Sequence, residues 1–373
     1  MTTLEPLETD LWRLGEAGRR RTLRPRRGHD LASNDYLGLA GSDRLRQAVS
    51  EALARGVPVG SGGSRLLRGN AEEHEQLEEQ AARFFGAKSA LFLGSGYAAN
   101  VLILATLPQR GDLVIHDDLV HASVHEGMRL GRAERTAFAH NDVEAAADAL
   151  ASWRRSGGCG IPWIAVESLY SMDGDQAPLA ELAALAEQEG AMLVIDEAHA
   201  TGVFGPDGRG LAADLEGQDN VVTLRTCGKA LGCEGAFILG PSTVRDFLIN
   251  RGRGFIFSTA PSPLVAATVS EALCVLREEP ERRERLHALL RHADRELTKL
   301  GLAATGSPIQ PVIIGDDRRT MEVASELQEL GFDVRGIRPP TVPAGASRLR
   351  LSITLNVDNA VITDVATVLG KLL

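Results

Sequence analysis

The sequence contains few cysteines, and none of them lie close together. Its 373 residues include only four, Cys159, Cys227, Cys233 and Cys274. No Cys-x-x-Cys pair is present, and the chain lacks the dense cysteine pattern of small secreted domains that depend on disulfides. This usage is typical of a reducing compartment, and we expect a cytoplasmic protein.

A long hydrophobic run is also missing. The longest mainly apolar stretch, residues 101–107, is much shorter than the ~20 residues that a membrane-spanning helix needs. Residues 1–10 contain three acidic side chains and no apolar segment, which predicts that there is no secretory signal. We therefore expect no membrane role.

Positive charge is not in excess either. The formal net charge is −10, whereas a surface that binds nucleic acid needs more Lys and Arg than Asp and Glu. We therefore expect no nucleic-acid partner for the chain as a whole. The local exception is a basic arm, and it fits either a nucleic-acid or targeting patch or a solvated segment that lends one Arg to an anionic substrate. Its arginines are Arg19, Arg20, Arg21, Arg24, Arg26 and Arg27.

Short apolar segments alternate with helical patterns from about residue 33 to residue 278. Nearly continuous apolar strands are typical of a mostly parallel sheet that is covered by helices on both faces. Ligands of such α/β folds bind at the carboxyl ends of the strands. The predicted strands are residues 89–93, 113–115, 163–166, 191–195, 221–224 and 236–239.

The two ends of the chain carry different patterns. Four leucines between residues 4 and 14 have the spacing of an amphipathic helix. Short apolar or alternating segments at 311–314, 332–334 and 348–353 predict a smaller α+β unit. We predict an N-terminal helix and arm (1–36), a large domain (37–278) and a small C-terminal α+β domain (279–373).

Lys229 follows the apolar strand 221–224 and is flanked by glycines. A lysine among apolar side chains loses part of its preference for the charged state and becomes nucleophilic near neutral pH. This is the setting of a lysine that forms a Schiff base. On this segment alone, an exposed loop lysine fits equally well.

Residues 94–99 form a glycine-containing turn between a predicted strand and a predicted helix. Their spacing matches the G-x-G-x-x-G/A pattern of phosphate-binding turns, in which amides such as those of Gly96 and Tyr97 hold the anion. The pattern fits a dinucleotide as well as a single phosphate. Asp117 and Asp118 lie near the distance along the chain at which an acid binds a ribose.

Asp196 and His199 directly follow the strand 191–195. A carboxylate and an imidazole at the carboxyl end of a strand usually face a ligand. The letters Asp-Glu-Ala-His also occur in nucleoside triphosphatases, but the chain lacks the G-x-x-x-x-G-K-[ST] loop that those enzymes need.

His121 and His125 have the i, i+4 spacing of zinc ligands on a helix. The glutamate that zinc hydrolases place between such histidines is missing, and no third ligand is indicated, so we predict no metal. His121 could equally well stack on the flat ring of a cofactor.

Together these groups have the chemistry that pyridoxal 5'-phosphate (PLP) requires of a protein. Lys229 would bind the cofactor covalently, Asp196 would pair with its ring nitrogen, and His199 would donate a hydrogen bond to its phenolic oxygen. Thr226 would add a hydroxyl to the phosphate-binding turn. The predicted catalytic residues are Lys229, His121, Asp196 and His199.

Along almost its whole length the chain resembles the α-oxoamine synthases, a family within the fold-type I PLP enzymes. The segments that carry the resemblance also have the order and spacing typical of that family. They are residues 33–39, 60–65, 138–143, 171–175, 196–202 and 337–343.

The resemblance implies a decarboxylating transfer of an acyl group to the Cα atom of an amino acid. The most similar members condense L-alanine with a pimeloyl thioester, of coenzyme A or of an acyl carrier protein, in biotin biosynthesis. Glycine C-acetyltransferase is the nearest alternative. A nicotinamide dehydrogenase that binds pyrophosphate at the turn 94–99 is the alternative from another class.

The resemblance also assigns residues. It implies that His121 stacks on the cofactor ring, that Ser171 and His199 contact the phenolic oxygen, and that Ser258 and Thr259 reach the partner subunit's cofactor phosphate in a homodimer. For the acyl thioester it implies one of Arg19, Arg20 and Arg21, of which we select Arg21. The other implied substrate-binding residues are Arg338, for the amino-acid carboxylate, Asn34 and Thr341.

Overall fold

The computed structural model describes residues 3–373, which pack as two compact units. The large unit contains Leu37–Ser171 and Asp175–Arg283. The small unit contains the described residues up to Tyr36, the short segment Met172–Gly174, and Glu284–Leu373. No helix within residues 3–373 combines the length and hydrophobicity that crossing a bilayer requires.

A seven-stranded sheet forms the centre of the large unit, in the order β2-β8-β7-β6-β5-β3-β4. β8 runs antiparallel to both of its neighbours, and the other pairs are parallel. The predicted mostly parallel α/β sheet is thereby confirmed. The strands are β2 (Ser89–Leu93), β3 (Leu113–Asp117), β4 (Glu134–Phe138), β5 (Pro162–Glu167), β6 (Met192–Asp196), β7 (Val221–Thr226) and β8 (Ala236–Gly240).

The edge strand β4 was not predicted from the sequence. Its residues Glu134 to Ala137 are exposed, and only Phe138 is buried. An edge strand pairs on one side only, and here its side chains carry no apolar pattern that would reveal it. The other six strands, in contrast, all overlap a predicted segment.

Helices pack on both faces of this sheet. In β3, Val114 belongs to one buried cluster, whereas Leu113 and Ile115 belong to another. Because both faces are covered, successive side chains are mostly apolar, which explains why the strands gave such a clear sequence signal. The helices of this unit are α2 (Asp43–Ala54), α3 (Glu72–Phe85), α4 (Gly96–Thr106), α5 (Ala122–Leu130), α6 (Val143–Arg155), α7 (Leu179–Glu189), α8 (Ser242–Arg251), α9 (Arg253–Ile256) and α10 (Pro263–Glu278).

A buried ion network joins the carboxyl ends of β6 and β7. Arg225 is fully buried, and its guanidinium donates to Glu197 Oε2 at 2.9 Å and to Glu216 Oε1 at 2.6 Å. The same guanidinium lies 4.4 Å from the centre of the Phe85 ring. Gly210 crosses directly over the Glu197–Arg225 pair with φ of +92°, and a Cβ atom there would overlap the carboxylate. The network fixes the backbone on either side of the two strand ends.

The small unit has its own antiparallel sheet in the order β11-β12-β9. A two-residue strand, β1 (His29–Asp30), pairs in parallel with β10 (Phe332–Asp333). The predicted α+β pattern is present, although the segment 332–334 contributes to the short β1–β10 pair and β11 follows it. The remaining elements are α1 (Glu5–Glu16), α11 (Pro280–Thr298), within which the division between the units falls, β9 (Ile309–Gly315), α12 (Asp317–Glu329), β11 (Arg335–Ile337), β12 (Ser347–Ser352) and α13 (Asn359–Leu372).

Candidate active site

Lys229 and His199 meet beyond the carboxyl ends of two neighbouring strands. Lys229 lies three residues after the end of β7, and His199 lies three residues after the end of β6. Lys229 Nζ is 2.7 Å from His199 Nε2, and the imidazole is only 5% exposed. A lysine nitrogen and an imidazole nitrogen form a hydrogen bond at this distance. The structure therefore brings two of the predicted catalytic groups into direct contact.

Asp196 ends β6 and is 6% exposed. Its Oδ2 accepts from Asn100 Nδ2 at 2.7 Å, and its Oδ1 accepts from the backbone N–H of Ala198 at 2.9 Å. Each oxygen thus receives one donor and keeps lone-pair capacity for another. A carboxylate in this state can hold a proton on the nitrogen of a bound ring.

His121 is the residue that precedes helix α5, and its ring caps that helix. Its Nδ1 lies 2.7 Å from Ser123 Oγ and 3.3 Å from the Ser123 backbone nitrogen. The side chain remains accessible to solvent, yet partial loss of hydration lowers its pKa; the Lys229 charge acts in the same direction, and Asp196 opposes both. The imidazole is therefore neutral near pH 7, as stacking on a ring requires. Its ring centre is 6.4 Å from that of Tyr97.

The turn 94–99 leads from β2 into helix α4, as predicted. Ser95 accepts a hydrogen bond from the Ala98 backbone N–H at 3.1 Å, and the helix begins at Gly96. The first amides of a helix have no partner within it and attract anions. Gly96 packs closely on Thr226, because a Cβ built on the glycine would lie 3.6 Å from the Thr226 hydroxyl oxygen. Gly96, Tyr97 and Thr226, the residues predicted to bind the phosphate, are thus adjacent.

Asp117, one of the two acids considered for a ribose, already has its carboxylate engaged by other groups. Its carboxylate accepts from the backbone N–H groups of Leu119 at 2.8 Å and Asn141 at 2.7 Å. It is also 2.9 Å from His140 Nδ1. Within residues 3–373, no group of three or more His, Cys, Asp or Glu side chains is arranged to hold a metal ion.

Glu167 belongs to the site but was not predicted. It ends β5 and pairs in register with Asp196 on β6. Burial raises its pKa well above the ordinary value, the Asp196 charge raises it further, and Lys229 opposes the shift. Its Oε2 accepts from the Ser171 backbone N–H at 3.1 Å, so that it helps to place the segment that carries Ser171. An acidic residue at the end of an apolar strand, beside the strand that ends in Asp196, was the available sequence signal.

We expect Glu167→Gln to make the cofactor-free protein more stable relative to wild type as the pH rises from 5 to 8. An unfolded Glu loses its proton near pH 4.3, whereas the folded protein retains it to higher pH, so the wild-type free energy of unfolding falls as pH rises through this window. Glutamine removes that slope, which can reach about 1.4 kcal/mol per pH unit. Melting temperatures of both proteins across the range provide the measurement.

Glu278→Gln is the matched control for this experiment. Glu278 is an exposed carboxylate whose pKa is lowered by hydrogen bonds from Arg44 and Arg277. Its contribution is lost only in acid, below this window, so its curve should run parallel to that of wild type. Parallel curves for Glu167→Gln as well would show that Glu167 is ionised in the folded protein.

Asn34 lies in the small unit, beside an arginine that was not predicted. Asn34 Oδ1 accepts from Arg350 at 3.1 Å and from the Tyr36 hydroxyl at 3.1 Å. Arg350 also donates to Ser352 Oγ at 2.7 Å and is only 7% exposed. The amide oxygen of Asn34 is therefore occupied, and its NH₂ group remains the part that can meet a ligand. Arg350 lies in the alternating strand β12, where it resembles an ordinary strand residue in sequence.

The other predicted substrate residues form a separate cluster in the small unit. Arg21 Nη2 is 3.5 Å from Thr341 Oγ1, and Arg338 Nη2 donates to the Arg20 backbone oxygen at 3.1 Å. Arg338 also contacts the sulfur of Met321. Burial and the nearby Arg21 charge lower the pKa of Arg338. Several cations therefore converge here, which favours an anionic ligand.

Ser258 and Thr259 follow helix α9 in the large unit, and both are exposed. The Ser258 hydroxyl lies 3.4 Å from the Thr259 backbone oxygen. Their predicted role at a partner subunit's cofactor stays a prediction.

Comparison with known proteins identifies the family. A family model described as aminotransferase class I and II matches residues 27–369. The 8-amino-7-oxononanoate synthase of Anaeromyxobacter dehalogenans (strain 2CP-1) is 44% identical over 347 residues, which cover 92% of this chain and 86% of that protein. The enzyme of the same name from Chromobacterium violaceum is 44% identical over 87% of this chain and 83% of its own length.

Solved structures give the same fold. A serine palmitoyltransferase from S. paucimobilis with bound PLP and myriocin superposes with a TM-score of 0.90 at 28% identity, over 100% of this chain and 98% of that one. The 8-amino-7-oxononanoate synthase of Francisella tularensis superposes with a TM-score of 0.78 at 25% identity, over 92% of this chain and 97% of that one.

The residues present fit pyridoxal phosphate. Lys229 lies against an imidazole, Asp196 keeps acceptor capacity on a buried carboxylate, and the start of α4 offers backbone amides next to Thr226. These groups are of the kinds that the cofactor needs, namely an amine, an acid that can pair with a ring nitrogen and backbone donors that can bind a phosphate. The chain therefore belongs to the class I and II aminotransferase family, and it is an enzyme that depends on pyridoxal 5'-phosphate.

Proposed function

We propose that the chain is an 8-amino-7-oxononanoate synthase, which joins L-alanine to a pimeloyl thioester with loss of carbon dioxide and of the thiol carrier. The observation that carries the proposal is the contact between Lys229 and His199 beside the strand end formed by Asp196. The relatives of that name, at 42–44% identity over most of the chain, support the choice of reaction. The same assignment makes the chain part of biotin biosynthesis.

The cofactor would supply an electron sink for the negative charge that develops at the Cα atom of the amino acid. Lys229 Nζ would remove and return the proton at that carbon, because an amine released from the cofactor remains within reach of it. Asp196 would keep the ring nitrogen protonated. His199 and Ser171 would bind the phenolic oxygen, and His121 would lie on the ring face.

For the amino-acid carboxylate we propose Arg350 together with Asn34. The resemblance assigns this role to Arg338, with Asn34 as a second substrate residue. Arg350, however, is the guanidinium that touches Asn34. With its oxygen occupied, Asn34 offers N–H donors beside those of Arg350, and donors of this kind suit a carboxylate. The cluster of Arg21, Arg338 and Thr341 then serves the anionic acyl thioester.

Replacing Arg350 and Arg338 by lysine in separate variants should show which substrate each arginine binds. We expect Arg350→Lys to raise the KM for L-alanine about tenfold or more, because lysine cannot make the two parallel bonds of a guanidinium to a carboxylate. Arg338→Lys should raise mainly the KM for the pimeloyl thioester. Steady-state kinetics with each substrate varied in turn measure both effects. If Arg338→Lys instead raised mainly the KM for L-alanine, Arg338 would be the residue that binds the amino-acid carboxylate.

We also propose that the enzyme works as a cytoplasmic homodimer. The resemblance supports this, since it places Ser258 and Thr259 at the cofactor phosphate of a second subunit. Equilibrium sedimentation of the purified protein measures the subunit number. A Ser258→Ala/Thr259→Val variant that dimerises but loses cofactor affinity would support the shared site.

The proposed reaction is tested by the release of free thiol from acyl-coenzyme A. L-Alanine with pimeloyl-coenzyme A should be favoured in kcat/KM by about tenfold or more over glycine with acetyl-coenzyme A and over L-serine with palmitoyl-coenzyme A, since a fitted acyl site discriminates by at least that factor. The serine arm matters because a serine palmitoyltransferase is among the closely superposed structures. A preference for either other pair would reassign the enzyme within its family.

A further inference from the structure

A buried chain of hydrogen bonds connects Asp196 with His121. Asn100, on helix α4, donates from Nδ2 to Asp196 Oδ2 at 2.7 Å and to Ser123 Oγ at 2.9 Å. Ser123, on helix α5, contacts His121 Nδ1 at 2.7 Å through the same hydroxyl. Asn100 is 1% exposed and Ser123 is fully buried. Neither has a role in the proposed chemistry.

The direction of each bond in this chain follows from donor and acceptor chemistry. The Ser123 backbone N–H points at His121 Nδ1, so this nitrogen is an acceptor and carries no proton. The Ser123 hydroxyl therefore donates its hydrogen to Nδ1, and its lone pair receives the N–H of Asn100. The neutral His121 must then carry its proton on Nε2. The Ser123 backbone N–H and hydroxyl thus set the tautomer of His121, and Asn100 binds the hydroxyl oxygen that makes this donation.

The amide of Asn100 cannot be reversed without loss. Its Oδ1 is buried and has no hydrogen-bond partner among residues 3–373, which costs free energy. Reversal would instead place that oxygen against the Asp196 carboxylate and the Ser123 hydroxyl lone pair. An acceptor left without a partner is thus tolerated so that two donors can be aimed at two groups of the site.

We propose that Asn100 and Ser123 are positioning residues for the cofactor ring: Asn100 fixes the plane of the Asp196 carboxylate, and Ser123 fixes the tautomer and orientation of His121. The ring of a bound cofactor would be aligned by an acid at its nitrogen and an imidazole on its face. The chain of hydrogen bonds Asp196–Asn100–Ser123–His121, called the relay below, couples these two groups. The inference rests on the proposed placement of the ring against Asp196 and His121.

The affinity for the cofactor, measured on cofactor-free protein titrated with pyridoxal 5'-phosphate, tests the relay. Asn100→Ala removes a hydrogen bond to a charged group, and we expect the dissociation constant to rise about tenfold. Ser123→Ala should raise it about fivefold, because a neutral bond is lost. The control is Ser89→Ala, which removes the bond of a buried hydroxyl at the start of β2 to the Gly240 backbone oxygen at 2.9 Å and should change affinity less than about twofold.

A double-variant cycle separates positioning from general packing. If Ser123 acts through His121, Ser123→Ala should have no further effect on the dissociation constant when His121 is already replaced by phenylalanine. An equal penalty in both backgrounds, or an unchanged affinity of Asn100→Ala, would overturn the proposal. Should Asn100→Ala fail to fold, the Ser123–His121 cycle remains decisive.

Failure of this inference is distinguishable from failure of the proposed function. Wild-type protein that binds the cofactor on Lys229 and releases thiol, but whose relay variants bind equally well, would overturn only the relay. Wild-type protein that does not bind the cofactor on Lys229 would overturn the proposed reaction.

Discussion

Lys229→Ala is expected to lower turnover by about 10⁴-fold or more. In the proposed mechanism the variant loses both the amine that binds the cofactor covalently and the base that moves the proton at the substrate Cα atom, and effects of that size follow loss of such a group. The side chain is partly buried at the sheet edge and contacts His199, so the fold should persist. Single-turnover and steady-state thiol release, with melting temperatures measured in parallel, give the result.

Lys88→Ala is the matched control for this variant. Lys88 lies in the same unit, and its Nζ pairs with Asp219 Oδ1 at 2.5 Å on the surface. An exposed pair of this kind contributes little to stability and none of the proposed chemistry, so activity should stay at the wild-type level. If Lys229→Ala kept a tenth or more of the turnover, Lys229 would not be the catalytic base.

The second large effect is expected for Asp196→Asn, which should lower kcat by about 10²- to 10³-fold. The neutral amide cannot hold a proton on the cofactor ring nitrogen. It also cannot accept on both of its polar atoms, so it conflicts with the donors of Asn100 and Ala198 that now meet the carboxylate. Kinetics measured with saturating cofactor distinguish the effect of the lost Asp196 charge on kcat from the effect of weaker cofactor binding.

Asp112→Asn provides a control of equal burial. Asp112 is also 6% exposed, and it accepts from the backbone N–H groups of Gln109 and Ile161, each at 2.8 Å. It precedes β3 and so lies at the amino end of the strands, away from the site. We expect it to lose about 1–3 kcal/mol of stability with kcat unchanged. Equal losses of kcat in both variants would mean that the charge of Asp196 has no special role.

The sequence was sufficient for most of the sheet, because strands that are buried on both faces have nearly continuous apolar runs. It failed at β4, whose edge position lets Glu134 and Arg135 face solvent. In the small unit, the segment 332–334 read as one strand of a sheet, whereas the backbone pairs Phe332 and Asp333 with His29 and Asp30 instead. A pairing between residues so distant along the chain leaves no periodic signal in either segment.

The site was predictable where a functional side chain directly follows a strand. Asp196, His199 and Lys229 were identified in this way, since the carboxyl ends of parallel strands lie at the same edge of the sheet. Asn100 and Ser123 do not, because each lies inside a helix and reaches the site only through the packing of α4 and α5. Arg350 was missed because an alternating strand gives no indication of which of its arginines will meet Asn34.

The most direct test of the account is to locate the cofactor on the chain. Borohydride reduction of the holoenzyme, followed by proteolysis and mass spectrometry, should find a single pyridoxyl group on the peptide that contains Lys229. The Lys229→Ala protein treated in the same way should carry none. A pyridoxyl group on another lysine, or none on the wild-type chain, would contradict the proposed active site and the reaction built on it.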